Sequence, residues 1–209
     1  MSAERSVSQR ELLDVVDEYG EPTGVQMEKW QVHEQGLPHR DVHVFVTNGT
    51  HILQQQRALT KNIMPGAWDI SAAGHVSAGD DSLETAVRET EEELGLSFPP
   101  ERFRALGRVA AKLMMGSNEN PWLHHTVGEN YGVYAPELQL EDITIQESEV
   151  IGVRWYPIDR LEADIINPAS VENHAPQPIE LWRLGIAGMR AAAQEGVITV
   201  DPQITEPNA

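Results

Sequence analysis

The chain has 209 residues, 33 acidic against 15 basic side chains, a formal net charge of −18 and no cysteine. That length suits one well-filled domain, and the missing cysteines exclude disulfides, thiolate zinc sites and a cysteine nucleophile. The acidity argues against direct binding to a nucleic-acid backbone, and it admits a phosphorylated substrate only with a cation between phosphate and carboxylates.

No apolar run approaches the roughly 20 residues of a membrane span, and the opening MSAERSVSQRELL has no signal-peptide core, so a cytoplasmic protein is expected. In chain order, residues 1–10 are polar and read as a mobile tail. Residues 11–17 read as a strand and 18–24 as its turn, with a short helical or irregular segment over 27–34. Residues 39–46 alternate as a strand, Asn48 and Gly49 supply a tight turn, and 51–57 return, which predicts a hairpin. A loop over 61–68 leads to a strand over 69–73. Beyond the helix described next, Pro99 and Pro100 break the chain. Strands are expected over 103–115, 129–135 and 150–156, with a loop over 116–121 and a connection over 136–145. A helical turn follows over 157–161, and 179–194 reads as an amphipathic helix through Leu181, Leu184, Ile186 and Met189. The end, 201–209, reads as a flexible tail, and the absence of repeats or linker-like stretches predicts one domain over 11–200.

Residues 74–96, GHVSAGDDSLETAVRETEEELGL, carry the densest chemistry. Asp80, Asp81 and Ser82 offer N-caps and Gly95 a helix-ending glycine, so a helix is expected between them. At about 100° per residue, Leu83, Ala86, Val87, Thr90 and Leu94 form a core-facing stripe. Glu89, Glu92 and Glu93 crowd a neighbouring arc, where like charges late in a helix cost stability. A hard cation, Mg²⁺ or Mn²⁺, would offset that cost, since it takes carboxylate oxygens and leaves positions for water and phosphate. Arg88 could brace one glutamate through a forked pair. The plainer alternative is a solvated acidic face.

The spacing Gly74-x5-Asp80-x7-Arg88-Glu89-Thr90-x-Glu92-Glu93-x-Gly95-Leu96 resembles the Nudix box of the Nudix hydrolase family. Asp80 stands where the family has glutamate, and Thr90 where it has a bulky aliphatic residue. The resemblance implies an α/β (α+β) fold with a mixed β-sheet sandwiched between helices. It implies a Mg²⁺- or Mn²⁺-dependent hydrolase that cleaves a phosphoanhydride bond of a nucleoside diphosphate linked to another moiety, or of a related diphosphate. Glu92 and Glu93 would hold metal, Glu89 would hold metal or act as base, and Arg88 would orient them.

Residues 13–24, 36–40, 54–61 and 68–76 also resemble the Nudix branch that includes isopentenyl-diphosphate isomerase. That enzyme's essential cysteine falls at Ala73, so its proton chemistry lacks the thiol here, and an isomerase is the alternative reading. His75 aligns with a metal-ligating histidine of the isomerase. His33 and His39 lie near the region that supplies two more, one residue closer together than there. Glu129 lies near the isomerase's later catalytic glutamate and could be a ligand or a base. Glu147 and Glu149 stand where some Nudix enzymes keep a base, or are solvated loop charges. Arg57, Lys61 and Arg40 are candidates to contact substrate phosphate. Trp68 either packs in the core or stacks on a base. Residues 114–128 are the expected specificity loop. The partner implied is a small phosphorylated molecule, a homodimer is allowed by analogy alone, and a silent nucleotide- or protein-binding scaffold is the third reading.

Overall fold

Asp81 starts the box helix: its side chain accepts from the backbone N–H of Leu83 at 2.8 Å and of Glu84 at 3.1 Å. Gly95 ends it in the left-handed conformation, φ +66°, where only glycine is unstrained. A computed structural model describes residues 10–61, 63–116, 121–167, 170, 172–195 and 203–205. Its elements are β1 (Leu12–Val16), β2 (Pro22–Glu28), α1 (Lys29–Gln35), β3 (His39–Thr47), β4 (His51–Arg57), β5 (Trp68–Asp69) and β6 (Ala72–His75), followed by the box helix α2 (Ser82–Leu94). Then come β7 (Arg104–Gly116), β8 (Pro121–Tyr134), β9 (Val150–Pro157), α3 (Ile158–Ile165), α4 (Ile179–Glu195) and β10 (Gln203–Thr205). Among the described residues no helix is long and apolar enough to cross a membrane.

The sheet is assembled on β3. β8 runs parallel to it from His39↔Thr126 to Thr47↔Tyr134, and β6 runs antiparallel on its other side from Asp41↔His75 to Val44↔Ala72. Side chains alternate between faces. Val42, Val44 and Val46 therefore share one core with Ala72, Tyr131, Val133 and the α2 residues Ala86 and Leu94. Phe45 points the other way, into a second core with Leu181, Trp182, Ile186 and Met189 of α4 and Leu161 of α3. The mixed sheet is thus sandwiched between helices, as the resemblance implied. Leu94 and Leu161 are fully buried, each contributing about 1.5–3 kcal/mol by leaving water.

Several expectations change. The turn at Asn48 and Gly49 joins β3 to β4, but the two strands share the single registered pair Thr47↔Ile52. β4 then leaves to pair with β9, from His51↔Pro157 to Arg57↔Val150. Ser71 occupies the wedge: its hydroxyl donates to the Leu53 carbonyl at 2.5 Å and accepts from the Val46 N–H at 2.8 Å, satisfying both strands where they part. That insertion also divides the expected strand over 69–73 into β5 and β6. Beyond the turn, residues 22–28 form β2, which pairs antiparallel with β1. The expected specificity loop over 114–128 is instead mostly strand: β7 and β8 pair from Arg104↔Gly132 to Gly116↔Pro121. The expected loop over 116–121 lies largely outside the described residues, as do most of the expected tails. Within the C-terminal tail, Gln203–Thr205 adds a strand parallel to β7.

Candidate functional site

The box helix lies across the end of β6, and the close approach depends on one glycine. A Cβ built on Gly74 would stand 2.2 Å from Glu89 Cδ and 2.4 Å from Oε1, so any side chain there would expel that carboxylate. Burial raises the Glu89 pKa to about 6, against the opposing pull of Arg88. Glu93, four residues on, turns into the protein and is 7% exposed. One of its oxygens accepts from Gln55 Nε2 at 2.9 Å and from the Ala73 N–H at 3.2 Å. Burial, followed by the charge of Glu89, pushes its pKa up to about 8. Glu92 points outward. Arg88 bridges the pair on the accessible side, at 2.9 Å to Glu89 Oε1 and 3.0 Å to Glu92 Oε2.

The three glutamates therefore fan out over the helix face, where the sequence predicted crowding. Glu89 is held largely from water against the Gly74 cradle, and the buried Glu93 is anchored one residue away on the Ala73 N–H. Glu89 and Glu93 have oxygen donors of the hard type that Mg²⁺ or Mn²⁺ takes.

The expected cationic contacts are already engaged. Arg57 donates to the Ile63 carbonyl at 3.0 Å and to Asp69 at 3.2 Å. Lys61 pairs with Glu149. Arg40 donates to the Asp80 carbonyl at 2.9 Å and lies 3.9 Å from Asp14, which ties the start of the box to β1. Trp68 is covered by Arg154, whose guanidinium lies 4.0 Å over its ring. Glu129 is directly opposite Val42 on β3, on the α2 face. It accepts from Ser82 Oγ, from Tyr131 OH at 3.4 Å and from Arg108 at 3.2 Å. The structure does not bring it to His75, which strand alternation sends to the opposite face.

On that opposite face lies a second cluster. His33 of α1, His39 of β3, His75 of β6 and His124 of β8 each present one ring nitrogen, all within 4.8 Å of one another. Among the described residues this is the one set of three or more potential ligands that converges so closely. Nε2 of His33, His39 and His75 and Nδ1 of His124 are shielded from solvent and lack a hydrogen-bond partner. Burial, with the other imidazoles adding to it, lowers His33 to about 3, while burial takes His39 to about 4 despite its bond to Leu37. Burial also lowers His75 and His124, so the rings are neutral and offer lone pairs. Trp122 stacks on His33 with ring centroids 4.7 Å apart. His33, His39 and His75 were sequence candidates. His124 was missed because its segment reads as a loop, although the alternation Trp122, His124, Thr126 is the signal of a strand that gathers them on one face.

A profile of the NUDIX domain matches residues 37–177. Nudix hydrolase 3 of Arabidopsis thaliana is 38% identical over 152 residues, which make up 71% of this chain but 19% of that longer protein. An isopentenyl-diphosphate Delta-isomerase of Rhodobacter capsulatus is 34% identical over 139 residues, 66% of this chain and 75% of that one. The crystal structure of a Deinococcus radiodurans protein has the same fold, with a TM-score of 0.62 at 22% identity over 83% of this chain and 98% of that one. The chain belongs to the NUDIX domain family of hydrolases.

Proposed function

We propose that the chain is a Mg²⁺- or Mn²⁺-dependent pyrophosphohydrolase acting on a nucleoside diphosphate linked to another moiety, or on a related diphosphate. The observation that carries this reading is the partly buried Glu89 against the Gly74 cradle with the buried Glu93 one helical turn on. Placing two carboxylates there is costly unless a cation compensates them. When bound, such a metal would supply charge neutralisation and Lewis-acid polarisation of the phosphoanhydride. Glu89 and Glu93 would hold the ion, and Gln55 and the Ala73 N–H fix the orientation of Glu93. Arg88 holds Glu89 and Glu92 in place, and Glu92 would be a further ligand. Glu149 is the candidate to accept a proton from the attacking water, with its carboxylate held by Lys61.

The isomerase reading is disfavoured by Ala73, whose methyl group stands where that chemistry needs a thiol, and by the absence of any cysteine. The test is release of phosphate or nucleoside monophosphate from a panel of nucleoside diphosphate-linked compounds, with Mg²⁺ or Mn²⁺, with chelator, and beside Glu93→Gln. Metal-dependent turnover that disappears in the variant supports the reading. Conversion of isopentenyl diphosphate to its allylic isomer, with no hydrolysis across the panel, overturns it.

A further inference from the structure

The α4 side of the sheet carries a buried carboxylate that the hydrolytic reading does not use. Asp41 of β3 is 6% exposed, and its Oδ1 is shielded from solvent without a hydrogen-bond partner. Its Oδ2 lies 3.6 Å from His43 Nε2 and 3.8 Å from His124 Nε2, beyond the roughly 2.7–3.2 Å of a hydrogen bond. The position is built for these groups. Asp41 is in register with Gly128 of β8, and a Cβ there would stand 2.7 Å from Asp41 Oδ1 and 2.7 Å from His43 Cε1. Asn130 fixes the imidazole. Its Nδ2 donates to the Gly107 and Gly128 carbonyls, both at 2.9 Å, which leaves its Oδ1 to accept from His43 Nδ1 at 3.2 Å. The ring proton is therefore on Nδ1, and the Nε2 lone pair faces Asp41. Two acceptors turned towards one another call for a donor between them.

A cavity of about 10 Å³, room for one water-sized group, is lined by Asp41 and His43. Gln177 also lines it; its amide nitrogen donates to Asp69 Oδ1 at 3.0 Å, so its oxygen is left to accept. Most of the remaining wall is apolar: Val109, Ala111, Leu113, Pro178 and Leu181. We infer that this cleft binds a primary ammonium ion on a short apolar chain, with Asp41 as its counter-ion. An –NH₃⁺ head brings three donors and no acceptor, which matches Asp41 Oδ1, His43 Nε2 and the Gln177 oxygen. Its charge answers that of the buried carboxylate, and charge-assisted hydrogen bonds are about twice as strong as neutral ones. A water would bring two donors and leave the charge of Asp41 uncompensated. A guanidinium is too broad for a cavity of this size, and a quaternary ammonium has no N–H to give. The chain that carries the head would lie against the apolar wall, as ligands do where a few polar groups set their orientation. The site lies on the α4 side of the sheet, with Leu181 of α4 in its wall, and it does not rest on the hydrolase reading.

The experiment is methyl NMR of the full chain, labelled at alanine and leucine, titrated at neutral pH with n-butylammonium chloride and separately with n-butanol. The expected result is saturable movement of the Ala111, Leu113 and Leu181 signals with the ammonium ion. The alcohol, which lacks the charge, should bind at least about 10-fold more weakly. Asp41→Asn keeps the shape of the side chain and removes its charge, and it should weaken n-butylammonium binding by about 10- to 100-fold. Glu93→Gln should respond as the parent does. If Asp41→Asn does not fold, the comparison of ammonium ion with alcohol on the unsubstituted chain still decides. The absence of saturable movement overturns the site, since a water then suffices to fill it. An equal response to the alcohol overturns it too, as does an equal response in a folded Asp41→Asn. Imidazole ¹⁵N spectra supply the last check. A His43 ring that carries protons on both nitrogens before and after the titration overturns the inference, because that imidazolium would itself satisfy Asp41.

Discussion

Glu93→Gln should stabilise the metal-free protein at alkaline pH while abolishing turnover. The folded-state pKa of Glu93 is raised from 4.5 to about 8 by burial and then by Glu89. The native state therefore holds a proton that the unfolded chain has released. The associated stability is fully present below about pH 4.5 and is lost as pH rises through about 8. Between pH 5 and 8 the linkage amounts to about 3 kcal/mol. Glutamine keeps the side-chain oxygen that accepts from Gln55 and the Ala73 N–H, and it removes the charge. Urea unfolding in chelator at pH 5 and pH 8 is the assay. The stability difference between variant and parent should grow in the variant's favour by a few kcal/mol over that interval, because groups common to both chains, including the four histidines, cancel. Adding Mg²⁺ should shrink the gap at pH 8 by stabilising the parent alone. An interval-independent difference, or a parent more stable than the variant at pH 8 in chelator, would refute the idea that Glu93 is a buried carboxylate awaiting a cation.

Gly74→Ala places a methyl group 2.2 Å from Glu89 Cδ, and steady-state kinetics should show turnover reduced by about 100-fold through the displaced carboxylate, with a folded circular-dichroism spectrum. Arg88→Ala removes the charge that opposes the burial-driven rise of the Glu89 pKa, which stands at about 6 with Arg88 in place; the acid limb of the kcat/KM profile should move to higher pH, and an unmoved limb would exclude Glu89 as the group it reports. Asp81→Ala deletes the acceptor of the Leu83 and Glu84 N–H groups and should lower unfolding stability by about 1 kcal/mol, with kcat/KM preserved at temperatures where the chain stays folded.

The box helix was legible in the sequence because every signal for it is local: caps at Asp81 and Gly95, a stripe through Ala86, Thr90 and Leu94, and a glycine at 74 at fixed spacing. The strands of β3, β4, β7 and β9 were legible for the same reason, through alternation and turn residues. What failed was pairing and facing, which are set by residues far apart in the chain. Nothing near Asn48 announces that Ser71, more than twenty residues on, will part β3 from β4. Glu129 and His124 show the cost most directly. Both lie on β8, five residues apart, and odd spacing on a strand sends them to opposite faces. At the first residue of an expected strand over 129–135, Glu129 was a candidate ligand with His75; on the longer strand in register with Val42 it turns to Ser82 and Arg108, and His124 takes the place beside His75. The same one-residue arithmetic at Gly74 and His75 divides the site in two. The carboxylates of α2 lie on the helix side of the sheet. The imidazoles gather on the other side, where α1 and Trp122 close over them.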